Sequence, residues 1–223
     1  MVEIRNLTIR YGKRTLLHRL DWVVRKGERW LLTGANGSGK TTLLSLITGD
    51  NPAAYGHDIR VFGHPRAPGR SIWAIRKHIG QVSPEIHCHF DTSMSVLDAV
   101  LSGRFDDDGG IRPARTADRK AAWTLLAEMG LTEDARRPLR SLSPGRQRLV
   151  LTARAILPKP KLLILDEPCQ NLDVAARKML LQMLSKLLRK HVIETAILTA
   201  HHPEDVPRGF SQLLCLDSVT GNR

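Results

Sequence analysis

Between a short apolar run, "RWLLT", and an amphipathic one, "TLLSLITG", the chain carries the octet "GANGSGKT" at residues 34–41. No other stretch restricts the possible folds as sharply. It fits the pattern G-x-x-x-x-G-K-[ST], and it follows a strand pattern and precedes a helix pattern, which is the context such a loop needs. Gly34, Gly37 and Gly39 let the main chain wrap closely. Successive N–H groups, from Ala35, Asn36 and Ser38 through to Thr41 and Thr42, can then point at phosphate oxygens. The helix that begins here adds a fixed partial positive charge at its N-terminus. Lys40 can reach the β- and γ-phosphates, and the Thr41 hydroxyl can ligate Mg²⁺. A nucleoside triphosphate site is implied.

A loop of this kind requires an α/β sheet to hold it, and the rest of the sequence supplies one. "VEIRNLTIRY" and "TLLHRLDWVV" alternate as strands on either side of a "GKR" turn. "DIRVFG" reads as a strand, "SIWAIRKHI" as a helix, and "IGQVSP" as a strand stopped by Pro84. From about residue 92 to 141 the character changes to helices and polar loops. There Ala122, Leu125, Leu126 and Met129 form a stripe at helical spacing, and "RFDDDGG" reads as a solvated loop. After residue 143 the alternation returns: a helix over 144–157, strand "KLLILD", a helix over 173–191, and strands "TAILTA" and "QLLCLD". Continuous apolar strands alternating with helices predict a largely parallel sheet covered on both faces, with a helical insertion.

At 223 residues, 42% hydrophobic and 25% charged, the chain is long enough and apolar enough to bury a core. Lys and Arg outnumber Asp and Glu by 34 to 22, a net charge of +12 that favours acidic partners such as nucleotides, nucleic acid or an anionic surface. The basic residues are scattered, so an ordinary solvated surface explains them as well as a binding face does. Cys88, Cys169 and Cys215 form no CxxC and cannot all pair, which points to free thiols in a reducing compartment. The N-terminus shows no secretory h-region, and no apolar run approaches the ~20 residues of a membrane span. The expectation is a soluble, cytoplasmic protein whose membrane contact, if any, runs through a partner.

"LLILDEP" places Asp166 and Glu167 at the C-terminal end of an apolar strand, where open α/β sheets bind ligands. Two carboxylates there are costly to desolvate unless a cation is close. Asp166 suits the Mg²⁺ shell, and Glu167 suits a general base that polarises water. "SLSPGRQ" at 141–147 starts a helix, with Ser143 as N-cap and Pro144 in the first helical position.

Together these segments resemble the ATP-binding cassette (ABC) ATPase family over nearly the whole chain. The markers stand in family order. Tyr11 is where an aromatic ring stacks on adenine, and Gln81 in "IGQVSP" is at the Q-loop. "LSPGRQ" takes the place of the signature L-S-G-G-Q, "QNLD" with Asp173 matches the D-loop, and His201 in "LTAHH" matches the switch histidine. Each lesser marker has an ordinary alternative: Tyr11 as a strand aromatic, Gln81 as a strand-end polar residue, His201 or His202 as a helix cap. "HCH" at 87–89, with His78 nearby, fits no standard zinc spacing. Cys169 reads as a packing residue rather than a redox sensor.

The resemblance implies a P-loop NTPase (RecA-like) core over 1–84 and 146–223 with an antiparallel β edge. A helical subdomain over 85–145 would carry the signature. It implies ATP and Mg²⁺ as ligands, with Thr41, Gln81 and Asp166 toward the metal and Lys40, Glu167 and His201 serving hydrolysis. It also implies a head-to-tail dimer with a second cassette, in which Ser143 and Gly145 reach the partner's γ-phosphate and Asp173 lies at the seam. Pro144 departs from the family glycine and removes one N–H donor; Arg146 replaces Gln or Glu and is expected to add positive charge near the anion. "ITGDNPAAYGHDIRVFG", "SIWAIRKHIGQVS" and "HHPEDVP" look most like molybdenum-transport cassettes that carry two cassettes in one chain and no membrane domain. Two functions follow: energising a permease for a small molecule or metal oxyanion, or acting on nucleic acid, ribosomes or another protein. Ten aromatic residues in all offer little for base stacking.

Overall fold

The computed structural model describes residues 1–12, 14–67, 71–105 and 114–216. Two sheets organise it. Strands β1 (Val2–Tyr11), β2 (Arg14–Val24), β4 (Asp58–Val61) and β5 (His64–Pro65) form an antiparallel sheet in the order β2-β1-β4-β5. The expected antiparallel part of the fold is present as a sheet of its own. Strands β3 (Arg29–Thr33), β6 (Ile79–Val82), β7 (Leu162–Asp166), β8 (Ala196–Thr199) and β9 (Gln212–Cys215) form a parallel sheet in the order β6-β7-β8-β3-β9.

The parallel strands divide their side chains between two apolar clusters, as a period of two requires. Leu162, Ile164 and Ile197 join the cluster formed by the antiparallel sheet and α1 (Lys40–Thr48). Leu163, Leu165, Ala196 and Leu198 face the other way. They meet helices α4 (Val96–Ser102), α5 (Thr116–Glu128), α6 (Pro144–Ile156) and α7 (Val174–Arg189). Each fully buried Leu or Ile contributes roughly 1.5–3 kcal/mol, so the sheet is clamped from both sides. The stripe Ala122, Leu125, Leu126, Met129 on and just beyond α5 is buried in the helical cluster, as its spacing predicts.

Two local readings need correction. "SIWAIRKHI" is helical only at α2 (Trp73–Arg76), one turn, because the chain is then drawn into the sheet. The His78 carbonyl accepts from Lys161 N at 2.8 Å and Leu162 N at 3.2 Å, and Ile79 opens β6. Pro84 does more than stop a strand. It is the first residue of α3 (Pro84–His89), which Ser83 caps by accepting from Ile86 N at 3.1 Å. The loop expected at "RFDDDGG" lies mostly outside the described residues.

Candidate nucleotide site

The loop at 34–41 joins the C-terminal end of β3 to the N-terminus of α1. Gly34, Gly37 and Gly39 have φ of 144°, 75° and 100°, a region that side-chain-bearing residues rarely enter. The loop is braced from outside, because Arg14 on β2 donates to the Gly37 carbonyl at 3.1 Å. Lys40 is buried, and its Nζ donates to the Gly34 carbonyl at 2.8 Å and the Ala35 carbonyl at 3.1 Å. Among the described residues the partners of that ammonium are neutral carbonyls. Ser38 Oγ is buried without a hydrogen-bond partner, an arrangement that costs about 1–3 kcal/mol until an acceptor arrives. A cationic, donor-rich cradle with an orphaned hydroxyl fits a phosphate chain.

Thr41, the last residue of the loop, lines a cleft of about 840 Å³ together with Gln81, Asp166, Glu167 and Gln170. Gln81 is held there by β6, which pairs it with Ile164 of β7. Asp166 ends β7, and Glu167 follows at φ 46°. Thr199, at the end of β8, touches both: its hydroxyl donates to Asp166 Oδ1 at 2.6 Å and accepts from Glu167 N at 2.8 Å. His201 Nε2 lies 2.7 Å from Glu167 Oε1. The hydroxyl, amide oxygen and carboxylate of Thr41, Gln81 and Asp166 are hard oxygen donors, a set that fits Mg²⁺.

Tyr11 is half exposed at the end of β1, and its hydroxyl accepts from Asn51 Nδ2 at 3.0 Å. Ser143, Gly145 and Asp173 do not line the cleft. They stand at the first turns of α6 and α7. Ser143 caps α6 by accepting from Arg146 N at 3.5 Å, and Asp173 caps α7 by accepting from Ala176 N at 2.8 Å. These two helix starts touch: a Cβ on Gly145 would lie 2.2 Å from Ala176 Cβ. Arg146 does not offer its charge to an anion as its position suggests. Its guanidinium meets buried Asp134 Oδ2 at 2.5 Å and donates to the Gly130 carbonyl at 3.1 Å. Asp134 also binds Arg137 at 2.9 Å, so the signature turn is tied internally.

The "HCH" side chains diverge. His87 Nε2 bonds to Gln147 Oε1 at 2.8 Å, His89 Nδ1 to the Glu85 carbonyl at 2.9 Å, and Cys88 is exposed. His202 is exposed and caps nothing with its ring. Cys169 is buried, and burial, with Asp205 beside it, pushes its thiol up to about 12. It is a packing residue. Thr199, Asn51, Arg14 and Asp134 went unread in the sequence; only the polar Thr199 within the apolar run "TAILTA" gave a signal.

Comparison with known proteins agrees with this geometry. The ABC transporter family profile matches residues 17–170. The chain is 41% identical to the ABC transporter ATP-binding protein ModF of Escherichia coli over 92% of its own length and 42% of that protein's. It is 37% identical to the uncharacterized ABC transporter ATP-binding protein C323.04 of Schizosaccharomyces pombe over 98% of its length and 45% of that protein's. It thus spans less than half of either relative. Among solved structures, an ABC transporter described as of metal-chelate type, in an inward-facing conformation, superposes with a TM-score of 0.72. That match has 30% identity and covers 96% of this chain and 79% of the other. The loop, the acid pair and these likenesses lead to one conclusion: the chain belongs to the ABC transporter ATP-binding family.

Proposed function

We propose that this chain binds Mg·ATP in the cleft between the 34–41 loop and the end of β7 and hydrolyses it, with a second cassette, identical or related, closing the site. The reading rests above all on Thr41, the last residue of the 34–41 loop, lining one cleft with Asp166 and Glu167. Lys40 exchanges its two loop carbonyls for phosphate oxygens, and Ser38 gains the acceptor it lacks. Thr41, Gln81 and Asp166 would hold Mg²⁺, which would supply charge neutralisation on the phosphates. Glu167 takes the proton of the attacking water on its carboxylate. His201, whose Nε2 lies 2.7 Å from Glu167 Oε1, turns toward the γ-phosphate. Tyr11 stacks on the adenine, its hydroxyl anchored by Asn51. Ser143 and Gly145 serve the partner's nucleotide, and Asp173 lies at the seam.

The work done by turnover is transport of a small molecule or metal oxyanion through a partner permease. The metal-chelate transporter relative supports this. Among the described residues no helix is long and apolar enough to cross a membrane, so such a permease would be another polypeptide segment or chain. Nucleotide titration of wild type and Lys40→Ala tests the site. Losing a charge-assisted phosphate bond of about 1.5–3 kcal/mol should weaken Mg·ATP binding more than tenfold in a folded variant. Equal binding by both proteins would remove the assignment.

A further inference from the structure

We infer that Thr199 is a positioning residue that aims both acids of the site; the inference rests on the ATP-hydrolysis reading above. Thr199 ends β8, paired with Leu32 of β3 on one side and Asp166 of β7 on the other. Its strand neighbours Ala196, Ile197 and Leu198 are apolar, and Thr199 itself is 0% exposed. A hydroxyl in such a place is unfavourable unless it is bonded. This one has a single proton, given to Asp166 Oδ1 at 2.6 Å, and it accepts the Glu167 N–H at 2.8 Å. Donating and accepting at once strengthens both bonds.

Each bond has a separate consequence. The first occupies one oxygen of Asp166 and so fixes the rotation of its carboxylate at the cleft. The second holds the backbone of Glu167 at φ 46°, a left-handed conformation that a non-glycine residue adopts only where its surroundings impose it. Glu167 then places Oε1 2.7 Å from His201 Nε2. One hydroxyl from a neighbouring strand thereby sets the direction of the metal-side acid and of the base. Such outer partners typically change activity or metal affinity by about 10–100-fold when removed.

The test compares wild type with Thr199→Val, which keeps the β-branched shape and lacks the hydroxyl, and Thr199→Ser, which keeps the hydroxyl. Thr199→Ala replaces the valine variant should that one not fold. Amide exchange over residues 162–170 is measured in nucleotide-free protein, and kcat and KM for ATP are measured with Mg²⁺. Thr199→Val should exchange the Glu167 amide faster, lose about 10–100-fold in kcat and keep its KM, while Thr199→Ser should restore both protection and most of kcat. The inference is overturned if Thr199→Val turns over like wild type, if its Glu167 amide stays protected, or if valine and serine variants fall equally, which would mark a packing role. A folded wild type without ATPase activity would instead refute the hydrolysis reading, and the exchange data would still decide whether Thr199 holds the acid pair.

Discussion

Lys40 and Cys169 are both buried, in unlike surroundings. Lys40 has neutral carbonyls around its ammonium and is ready to receive an anion. The Cys169 thiol, raised to about 12 by burial and Asp205, stays protonated at ordinary pH and so lacks the thiolate that reacts. Iodoacetamide at pH 8 should therefore modify exposed Cys88 and leave Cys169 untouched until the chain is unfolded, as read by mass spectrometry of digests. Rapid labelling of native Cys169 would contradict the packing assignment. The residues legible in the sequence were those whose chemistry lies in local spacing: Lys40 and Thr41 in the loop, Asp166 and Glu167 at a strand end. Thr199, Asn51 and Asp134 act on residues 33, 40 and 12 positions away, and pairings set by tertiary packing leave no periodicity to read. Arg146 shows the cost of reading position without partners, since Asp134 claims its charge.

At the scale of elements, the same Ser-Pro start occurs twice, at Ser83-Pro84 and Ser143-Pro144, with the serine capping and the proline in the first turn each time. The second stood before a long amphipathic run and was legible. The first opens a helix of six residues, too short to show a period. Helix α2 is short for the complementary reason: its apolar residues suit a helix, but the backbone N–H groups of Lys161 and Leu162 take the chain at His78. The contact between α6 and α7 yields a prediction. Gly145→Ala would put a Cβ 2.2 Å from Ala176 Cβ, and overpacking of this kind costs about 1–3 kcal/mol. Thermal unfolding should show a lowered Tm for Gly145→Ala and partial recovery in Gly145→Ala/Ala176→Gly. A single variant as stable as wild type would mean that the two helix starts are not in contact.

At the scale of the whole molecule, the parallel sheet was legible because its strands are apolar on both faces, and burial on both faces is what the two clusters deliver. Which strands would neighbour one another was not legible, since β3 sits between β8 and β9, far away in the chain. The proposed pairing of cassettes adds a further level. Ser143, Asp173 and Val174, the last 81% exposed, stand on adjoining helix starts away from the chain's own cleft lining. A surface arranged in this way suits contact with another cassette's nucleotide. The most direct measurement is the ATP-dependent mass, by light scattering, of Glu167→Gln, which keeps the shape of the base and removes its proton acceptor. With Mg·ATP it should bind nucleotide, hydrolyse it very slowly and double its mass, and adding Ser143→Arg should return it to a monomer that still binds ATP. A Glu167→Gln protein that stays monomeric at saturating Mg·ATP would contradict a composite site built from two copies of this chain.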